Sequence, residues 1–457
     1  LKLKYYGIVL KVLKYQTFQT FFMKKILSMD KITIGSFLAA AGFFVIFEVI
    51  FFYKLIQVFD ISHSYLVILY VIFSTLFLLS RPILAFFYKD KHGIFDLSGK
   101  SQSLPTVSFI IAGKNEEDSI YKTIKACMDS EYNGKFECII VDDGSTDNTL
   151  AEMMREKKDL STRKNSVKVI TFEKNKGKRE GMVAGMQVAR GELFVFIDSD
   201  SFIRKDALNH VVEHFMSDEN VGAVSGNTLV ENHDANLLTK MQSARYGISF
   251  DLFKSCESIF GAVTCCPGCF SAYRSEVVLR VAEDWRNRKV FGTTSTFGDD
   301  RSLTNFVLKE DMKVIYCREA KASTIVPEEY PKFIKQQLRW KKSWIREGMF
   351  GAAYFMWKKH PIASVAFYIN LIIPIVGPFI VLYGLFGKIL SGEWVSTLLF
   401  CLSLSLMSLA YGFYHYAQTK HKDFLYSIPF TLFYSVVLVW QMPWAIIKLN
   451  DNSWGTR

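Results

Sequence analysis

The eight cysteines of this 457-residue chain do not fall at the paired spacings of a disulfide framework, so a disulfide-stapled secreted module is excluded. Three of them form the one cluster, Cys265-Cys266-Pro267-Gly268-Cys269, and no second Cys or His pair lies at a spacing that would complete a zinc site. The cluster reads as a tight turn of reduced thiols, which implies a reducing, cytoplasmic side for the central region. No arginine or acidic residue precedes Asp30, whereas lysines and aromatics are frequent there. That segment reads as a surface amphipathic helix or as an extension upstream of Met23-Lys24-Lys25. No small-residue cleavage site follows it, so a cleaved signal peptide is not expected.

Long apolar runs are abundant. Half of the residues (50%) are hydrophobic and 15% are aromatic, room for one sizeable domain and several membrane spans. The net charge of +11 is spread along the chain and flanks those runs. Cytoplasmic membrane flanks and a polyanionic substrate account for it better than nucleic acid does. Residues Ile34 to Tyr53 and Tyr65 to Phe87 are each long enough to cross a hydrocarbon core of about 30 Å. Lys24, Lys25 and Lys31 precede the first and Arg81, Lys89 and Lys91 close the second, while the loop around Asp60-Ile61-Ser62-His63 carries no Lys or Arg. This asymmetry places the following domain in the cytoplasm of a plasma-membrane protein. Glu48 inside the first span reads as a packed or bundle-facing carboxyl.

From Thr106 onward short β-rich runs alternate with helical ones: Val107 to Ala112, Glu137 to Val141, Val167 to Phe172 and Leu193 to Ile197. The alternation predicts βαβ units and a parallel sheet covered on both faces, with ligands beyond the carboxyl ends of the strands. Two acidic motifs fall there. Ile139-Ile140-Val141 runs into Asp142-Asp143-Gly144-Ser145, and Phe194 to Ile197 runs into Asp198-Ser199-Asp200. Alone, each is as well explained by a solvated turn. Together they point to a nucleotide-diphosphate site in which Asp-x-Asp holds a hard divalent cation. Between them Asn175-Lys176-Gly177-Lys178-Arg179 sets cations around a glycine at an expected helix start, which suits phosphate.

Further on, Gly298-Asp299-Asp300-Arg301 and Gln336-Gln337-Leu338-Arg339-Trp340 pair two adjacent carboxylates with a cationic and aromatic cluster, a base plus a clamp for an anionic leaving group. A Trp- and Phe-rich segment to Trp357 reads as an interfacial helix. Ile362 to Tyr383 and Trp394 to Phe413 read as further spans. The last run, Phe424 to Ile447, contains Pro429 and Pro443 and is open to a single crossing or a broken, re-entering path.

In this order and between spans, the motifs resemble the processive family 2 glycosyltransferases, the membrane synthases of cellulose, chitin and hyaluronan. Asn175 to Arg179, Asn236-Leu-Leu-Thr-Lys240 with Arg245-Tyr246, Phe297 to Asn305, Gln336 to Ser343, Arg346-Glu347 and the terminal Trp454-Gly-Thr-Arg457 bring it nearest to the bacterial hyaluronan synthases. The turn Cys266-Pro-Gly-Cys-Phe-Ser271 is closer to chitin synthases. The resemblance implies a cytoplasmic nucleotide-sugar-binding domain of GT-A type over 105–320, inserted between transmembrane helices. Around it would lie a basic segment over 1–32, two spans over 33–90, interface helices over 328–358, spans with a re-entrant segment over 361–448, and a cytoplasmic tail over 449–457. It implies inverting, processive transfer of GlcNAc and GlcA from UDP-GlcNAc and UDP-GlcA to a nascent polysaccharide, with export through the lipid membrane. Asp142 and Asp143 would bind uridine, with Asp198 and Lys178 on the substrate as well. Asp200 would hold Mg2+ or Mn2+. Asp300, supported by Asp299, would be the general base. Gln336, Arg339, Trp340, Trp454 and Arg457 would close on donor and acceptor.

Overall fold

A computed structural model describes residues 65–90, 104–162, 165–290, 292–294 and 297–451, all within the unit Ser62–Arg457. The expected first span, Glu48 within it, the basic segment before it, and Trp454 and Arg457 lie outside the described residues.

The centre is an eight-stranded sheet. Its strands are β1 (Val107–Gly113), β2 (Phe136–Asp142), β3 (Ser166–Thr171), β4 (Leu193–Asp198), β5 (Ser201–Ile203), β6 (Val221–Val230), β7 (Ser271–Arg274) and β8 (Lys313–Thr324). The spatial order is β3-β2-β1-β4-β7-β6-β8-β5. Strands β3, β2, β1 and β4 are parallel, with Ile110 facing Ile139 on one side and Phe196 on the other. The expected parallel sheet therefore accounts for this half. In the other half β7 runs antiparallel to both β4 and β6, and β5 antiparallel to β8. Reversal follows from the connections: β5 begins three residues after β4 ends, too short a link for a crossover helix.

Every residue of β1 is buried, as a strand covered on both faces must be. One face packs on α2 (Ile120–Met128), α3 (Thr149–Leu160) and α5 (Ala207–Ser217) through Ile120, Ile124, Met153, Leu208 and Val211. In α2 the buried residues Ile120, Thr123, Ile124 and Cys127 recur at helical spacing and make a single stripe. The opposite face packs on α4 (Lys178–Val188), α7 (Ser275–Arg286) and α8 (Asp299–Lys309) through Met182, Val183, Met186, Val277, Val281, Leu303 and Val307. Each fully buried aliphatic side chain contributes about 1.5–3 kcal/mol. Because α4 and α8 both lie on this second face, their N-termini open at the same rim of the sheet.

Helix α6 (Leu237–Gly247) starts with a reciprocal cap between Asn236 and Thr239 and continues as a π-helical turn over Ile248–Lys254. After β8 comes α9 (Tyr330–Tyr354), a 25-residue helix that begins with Pro331 in its first turn.

Three described helices are long and apolar enough to cross a membrane: Ile68–Phe86 within α1 (Tyr65–Phe86), Pro361–Leu390 beginning as α10 (Pro361–Leu382), and α11 (Trp394–Thr419). A bent pair, Lys422–Leu438 and Gln441–Ile447 with 44° between the two, makes up to four. Phe379, Leu390, Val395 and Leu398 are exposed, an apolar surface that water would not tolerate and lipid would. These helices mark a membrane protein. Tyr70 Oη donates to Ile373 O (3.0 Å) and Tyr411 Oη to Leu78 O (2.7 Å), tying α1 to α10 and α11. Tyr88 Oη donates to Tyr316 O at 2.6 Å, and Asp90 accepts the Arg318 N–H at 2.7 Å, so α1 is fastened directly to β8.

Candidate active site

The site is assembled from strand ends and helix starts. At the end of β2, the Asp142 carboxylate accepts the N–H of Ser145 at 3.1 Å and holds the following turn. Asp143 accepts the N–H groups of Lys176 (2.6 Å) and Gly177 (2.9 Å), which fixes the segment leading into α4. Burial pushes the Asp143 carboxyl above its ordinary value, against the pull of those two amides. The two aspartates thus define one wall of a cleft, with the basic segment folded onto it.

Lys178, the first residue of α4, is ion-paired with Asp198 at the end of β4. Burial alone would lower its ammonium, but Asp198, with Asp299 and Asp300 in range, raises it. Two residues past Asp198, burial and the Asp198 charge push the Asp200 carboxyl up to about 6. Gly268 closes over this pair: a Cβ there would stand 2.6 Å from Asp198 Oδ1, so only glycine allows the turn so near the carboxylate. The Cys265 to Cys269 turn therefore forms the cover of the Asp-x-Asp motif.

Asp299 and Asp300 are the first two residues of α8, where the positive end of a helix suits carboxylates. They face differently. Asp299 is buried and accepts Arg179 Nε at 2.7 Å, while Arg179 also donates to Trp285 O at 3.2 Å. Asp300 is half-buried, accepts the Arg301 N–H at 2.7 Å, and has the Cys265 thiol 3.6 Å from its other oxygen. Burial and that carboxylate push the Cys265 thiol up to about 12, so it stands as a neutral S–H donor. Thr304 Oγ1 donates to Asp300 O (2.7 Å) and accepts the Cys266 N–H (2.9 Å), which locks turn to helix.

The Gln336 to Trp340 cluster lies in the middle of α9. Burial lowers the Arg339 guanidinium, opposed by Asp300, Asp198 and Asp299, so Arg339 shares the electrostatic field of both carboxylate motifs. Trp340 is partly exposed and its ring centroid lies 6.4 Å from that of Tyr246. Helix α9 is held against α8 by Gly298, φ 79°, where a Cβ would meet Ser343 Oγ at 2.0 Å. Buried Arg288 is ion-paired with Glu347 and donates to Ser302 Oγ at 2.9 Å; Asn305 Nδ2 adds a 2.9 Å bond to Glu347. The structure thus brings Asp142, Asp143, Lys178, Asp198, Asp200, Asp299, Asp300 and Arg339 around one cleft, with Trp340 beside it. Three contributors stood out in the sequence only as parts of motifs, with no role at the site: the Cys265 thiol on Asp300, Gly268 over Asp198, and Tyr246 beside Trp340.

A mixed α/β sheet in which β5 and β7 run against the other six strands, with acidic motifs at the ends of β2 and β4 and at the start of α8, has the arrangement of a GT-A-type fold. The Glycosyl transferase family 2 model matches residues 108–281, which span strands β1 to β7 and the first two aspartate motifs. The chain is 33% identical over 249 residues to an N-acetylglucosaminyltransferase of Neorhizobium galegae, covering 54% of this chain and 56% of that protein. It therefore spans a little over half the length of that relative. It is 27% identical over 356 residues to a hyaluronan synthase of Streptococcus pyogenes, covering 77% of this chain and 83% of that one. The mannosyltransferase PcManGT from Pyrobaculum calidifontis, solved with GDP-Man and Mn2+, superposes with a TM-score of 0.55 at 17% identity, over 84% of this chain and 98% of that one, and supports the fold. Residues 108–281 thus form a family 2 glycosyl transferase domain within the chain.

Proposed function

We propose that the protein is a processive, inverting hyaluronan synthase that joins GlcNAc and GlcA from UDP-sugars and passes the product through its own membrane helices, with the catalytic domain in the cytoplasm. The observation that carries this reading is the position of α9. One side of this helix meets α8, where Asp300 sits, and the other meets the bent membrane segment, where Lys341 Nζ donates to Leu438 O at 3.1 Å and to Gln441 Oε1 at 2.8 Å. Acceptor site and membrane path are thereby built from one element. A transferase acting once on a lipid acceptor has no need of that continuity.

In this reading Asp142 and Asp143 take the uridine. Asp198 and Asp200 fit a divalent cation, Mg2+ or Mn2+: burial and the neighbouring Asp198 charge raise the proton affinity of Asp200, and a cation held there relieves that cost. When bound, the ion offsets charge on the diphosphate. Lys178 and Arg339 stabilise the negative charge that develops on departing UDP. Asp300 removes the proton from the acceptor hydroxyl as its oxygen attacks the anomeric carbon, and a single in-line displacement inverts an α-linked donor to a β-linkage. Asp299, neutralised by Arg179, sets the start of α8 and so the position of Asp300. Trp340 stacks on the acceptor sugar and Gln336 lies one turn before it. The chain after the bent segment returns to α9, where Lys342 Nζ donates to Asp451 O at 2.9 Å and Arg346 donates to Leu449 O. This supports a re-entrant path that brings Leu449 and Asp451 back to α9.

The test supplies membranes containing the protein with UDP-GlcNAc, with and without UDP-GlcA. Polymer that requires both donors and dissolves under hyaluronidase supports the proposal. Polymer from UDP-GlcNAc alone that yields to chitinase supports the second reading, a chitin-like N-acetylglucosaminyl polymer synthase. The 33% identity to an N-acetylglucosaminyltransferase favours that alternative.

A further inference from the structure

Two histidines and an aspartate meet at the junction between the catalytic domain and the membrane helices, away from the cleft. His233 lies in the turn between β6 and α6, and its backbone carbonyl accepts Thr239 Oγ1 at 2.9 Å, which fixes that turn. His421 lies in the turn after α11, and Asp423 lies in the first turn of the bent segment. Asp423 Oδ2 stands 3.2 Å from His233 Nδ1 and 3.5 Å from His421 Nδ1. The Asp423 side chain is only 9% exposed, and its Oδ2 accepts no hydrogen bond; His233 Nδ1 is likewise buried without one. The imidazole centroids are 5.1 Å apart. All three ligand atoms lie within 4.8 Å of one another.

An ordinary charge-assisted hydrogen bond between imidazole and carboxylate closes to about 2.7–2.9 Å with the N–H aimed at the oxygen. Donor atoms around a tetrahedral Zn2+, at about 2.0–2.2 Å from the metal, stand roughly 3.3–3.5 Å from one another. The two Asp423–imidazole separations, 3.2 and 3.5 Å, lie nearer the second arrangement, and the Asp423 oxygen between them accepts no hydrogen bond. Outside the triad, Asp234 places a carboxylate oxygen 3.5 Å from His233 Nε2, the far ring nitrogen, where a second carboxylate orients a metal-bound histidine. The other mixed cluster among the described residues, Asp90, His214 and Cys317, differs. There the Asp90 carboxylate is taken up by the Arg318 and Glu319 N–H groups and by His214 at 2.9 Å.

We propose that His233, His421 and Asp423 form a Zn2+ site that fastens the β6–α6 turn of the catalytic domain to the turn entering the bent membrane segment. Two imidazoles and one carboxylate suit a borderline ion such as Zn2+ and disfavour Mg2+, which prefers oxygen donors, so this site and the Asp198–Asp200 site select different metals. His421 is 43% exposed on its side chain, which gives the ion an entry path and leaves room for a water as fourth ligand. The proposal is independent of which sugar the enzyme polymerises.

The test uses full-length protein in detergent, purified through a tag free of histidine, stripped with a chelator and returned to millimolar Mg2+. It is then titrated with Zn2+, and separately with Co2+ followed by visible absorption. Wild type is expected to retain one more equivalent of zinc than His421→Ala or Asp423→Asn, to show a cobalt absorption band that both variants lack, and to unfold at higher temperature with zinc than without. His421→Ala removes a side chain that is nearly half exposed and away from the cleft, and should keep its Mg2+-supported turnover of UDP-sugar. Equal zinc in wild type and variants would mean a histidine–aspartate ion pair only, and would overturn the site. If neither variant folds, wild type alone decides: no cobalt band and no zinc-dependent shift in unfolding temperature overturns it equally.

Discussion

Arg179 and Asp299 are 120 residues apart in the chain, yet Arg179 Nε lies 2.7 Å from Asp299 Oδ1 with both side chains buried. The pair joins the start of α4 to the start of α8, and so joins the Lys178 side of the site to the Asp300 side. Arg179→Ala strands a buried carboxylate, at a cost of about 3–5 kcal/mol. It should lower the unfolding temperature and abolish polymer together. Arg179→Met with Asp299→Leu replaces the pair by apolar groups and should regain much of the stability without regaining activity. A double variant as unstable as Arg179→Ala would show that the ion pair does not dominate the single variant's loss.

Asp300 sits next in the chain to Asp299 but is left accessible, with only the Arg301 amide and the Cys265 thiol on it. If it is the base, Asp300→Asn keeps shape and removes proton acceptance. Polymer synthesis should fall by at least about a hundredfold, the usual contribution of a general base. UDP-sugar binding, measured by calorimetry, should change little. Elongation at near wild-type rate by this variant would assign the proton to another group.

Much of this arrangement was legible as strings of residues. Asp142-Asp143 and Asp198-x-Asp200 announce themselves because hydrophobic strand residues run straight into carboxylates, and Lys178 because cations crowd a helix start. What joins the strings was not legible. Arg179 reads as one more phosphate cation, and its commitment to Asp299 depends on how α4 and α8 share one face of the sheet. The cysteine turn reads as inert thiols until its loop is folded over Asp198 and Asp300. The reversed strand β7 also escaped, because four residues, Ser271–Arg274, give too short a pattern to state a direction.

Asp200, with its carboxyl at about 6 rather than the ordinary 3.8, sets a pH dependence in two senses. Between about pH 4 and 6 the metal-free folded protein binds a proton that the unfolded chain releases. Stability of the metal-free form should therefore decline as pH rises through that window. The divalent cation competes with the same proton, so apparent Mn2+ affinity should weaken by up to about tenfold per unit as pH falls below 6. Titrations of Mn2+-supported UDP release between pH 5 and 8 check the second effect. An unchanged affinity across that range would remove Asp200 from the metal site.

Lys341 gives the opposite sign. Burial and the nearby Arg245 lower its ammonium from 10.5 to about 7, so between these values the unfolded chain holds a proton that the folded protein lacks. Stability should rise with pH from about 7 to 10.5. Lys341→Met loses the bonds to Leu438 O and Gln441 but removes that slope. Unfolding temperatures of the two proteins, compared across pH 7 to 10, should diverge steadily in favour of wild type. Parallel curves would mean that Lys341 is charged throughout.

Gly298 tests whether the seating of α9 on α8 governs catalysis. Its φ of 79° disfavours any side chain, and a Cβ would stand 2.0 Å from Ser343 Oγ. Gly298→Ala therefore combines backbone strain of about 1–2 kcal/mol with a steric conflict that pushes the two helices apart. Ser343→Gly in the same chain removes the conflict and leaves the strain. Because Asp299 and Asp300 immediately follow Gly298, and Ser343 lies three residues beyond Trp340, separating the helices moves Asp300 away from Trp340. If Asp142 and Asp143 bind the uridine, the single variant should lose polymer synthesis while still binding UDP-sugar, since those two residues are untouched. The double variant should recover a measurable fraction of turnover. If both variants are equally inactive, the left-handed backbone at Gly298 matters more than the spacing of the helices, and the base is positioned by α8 alone.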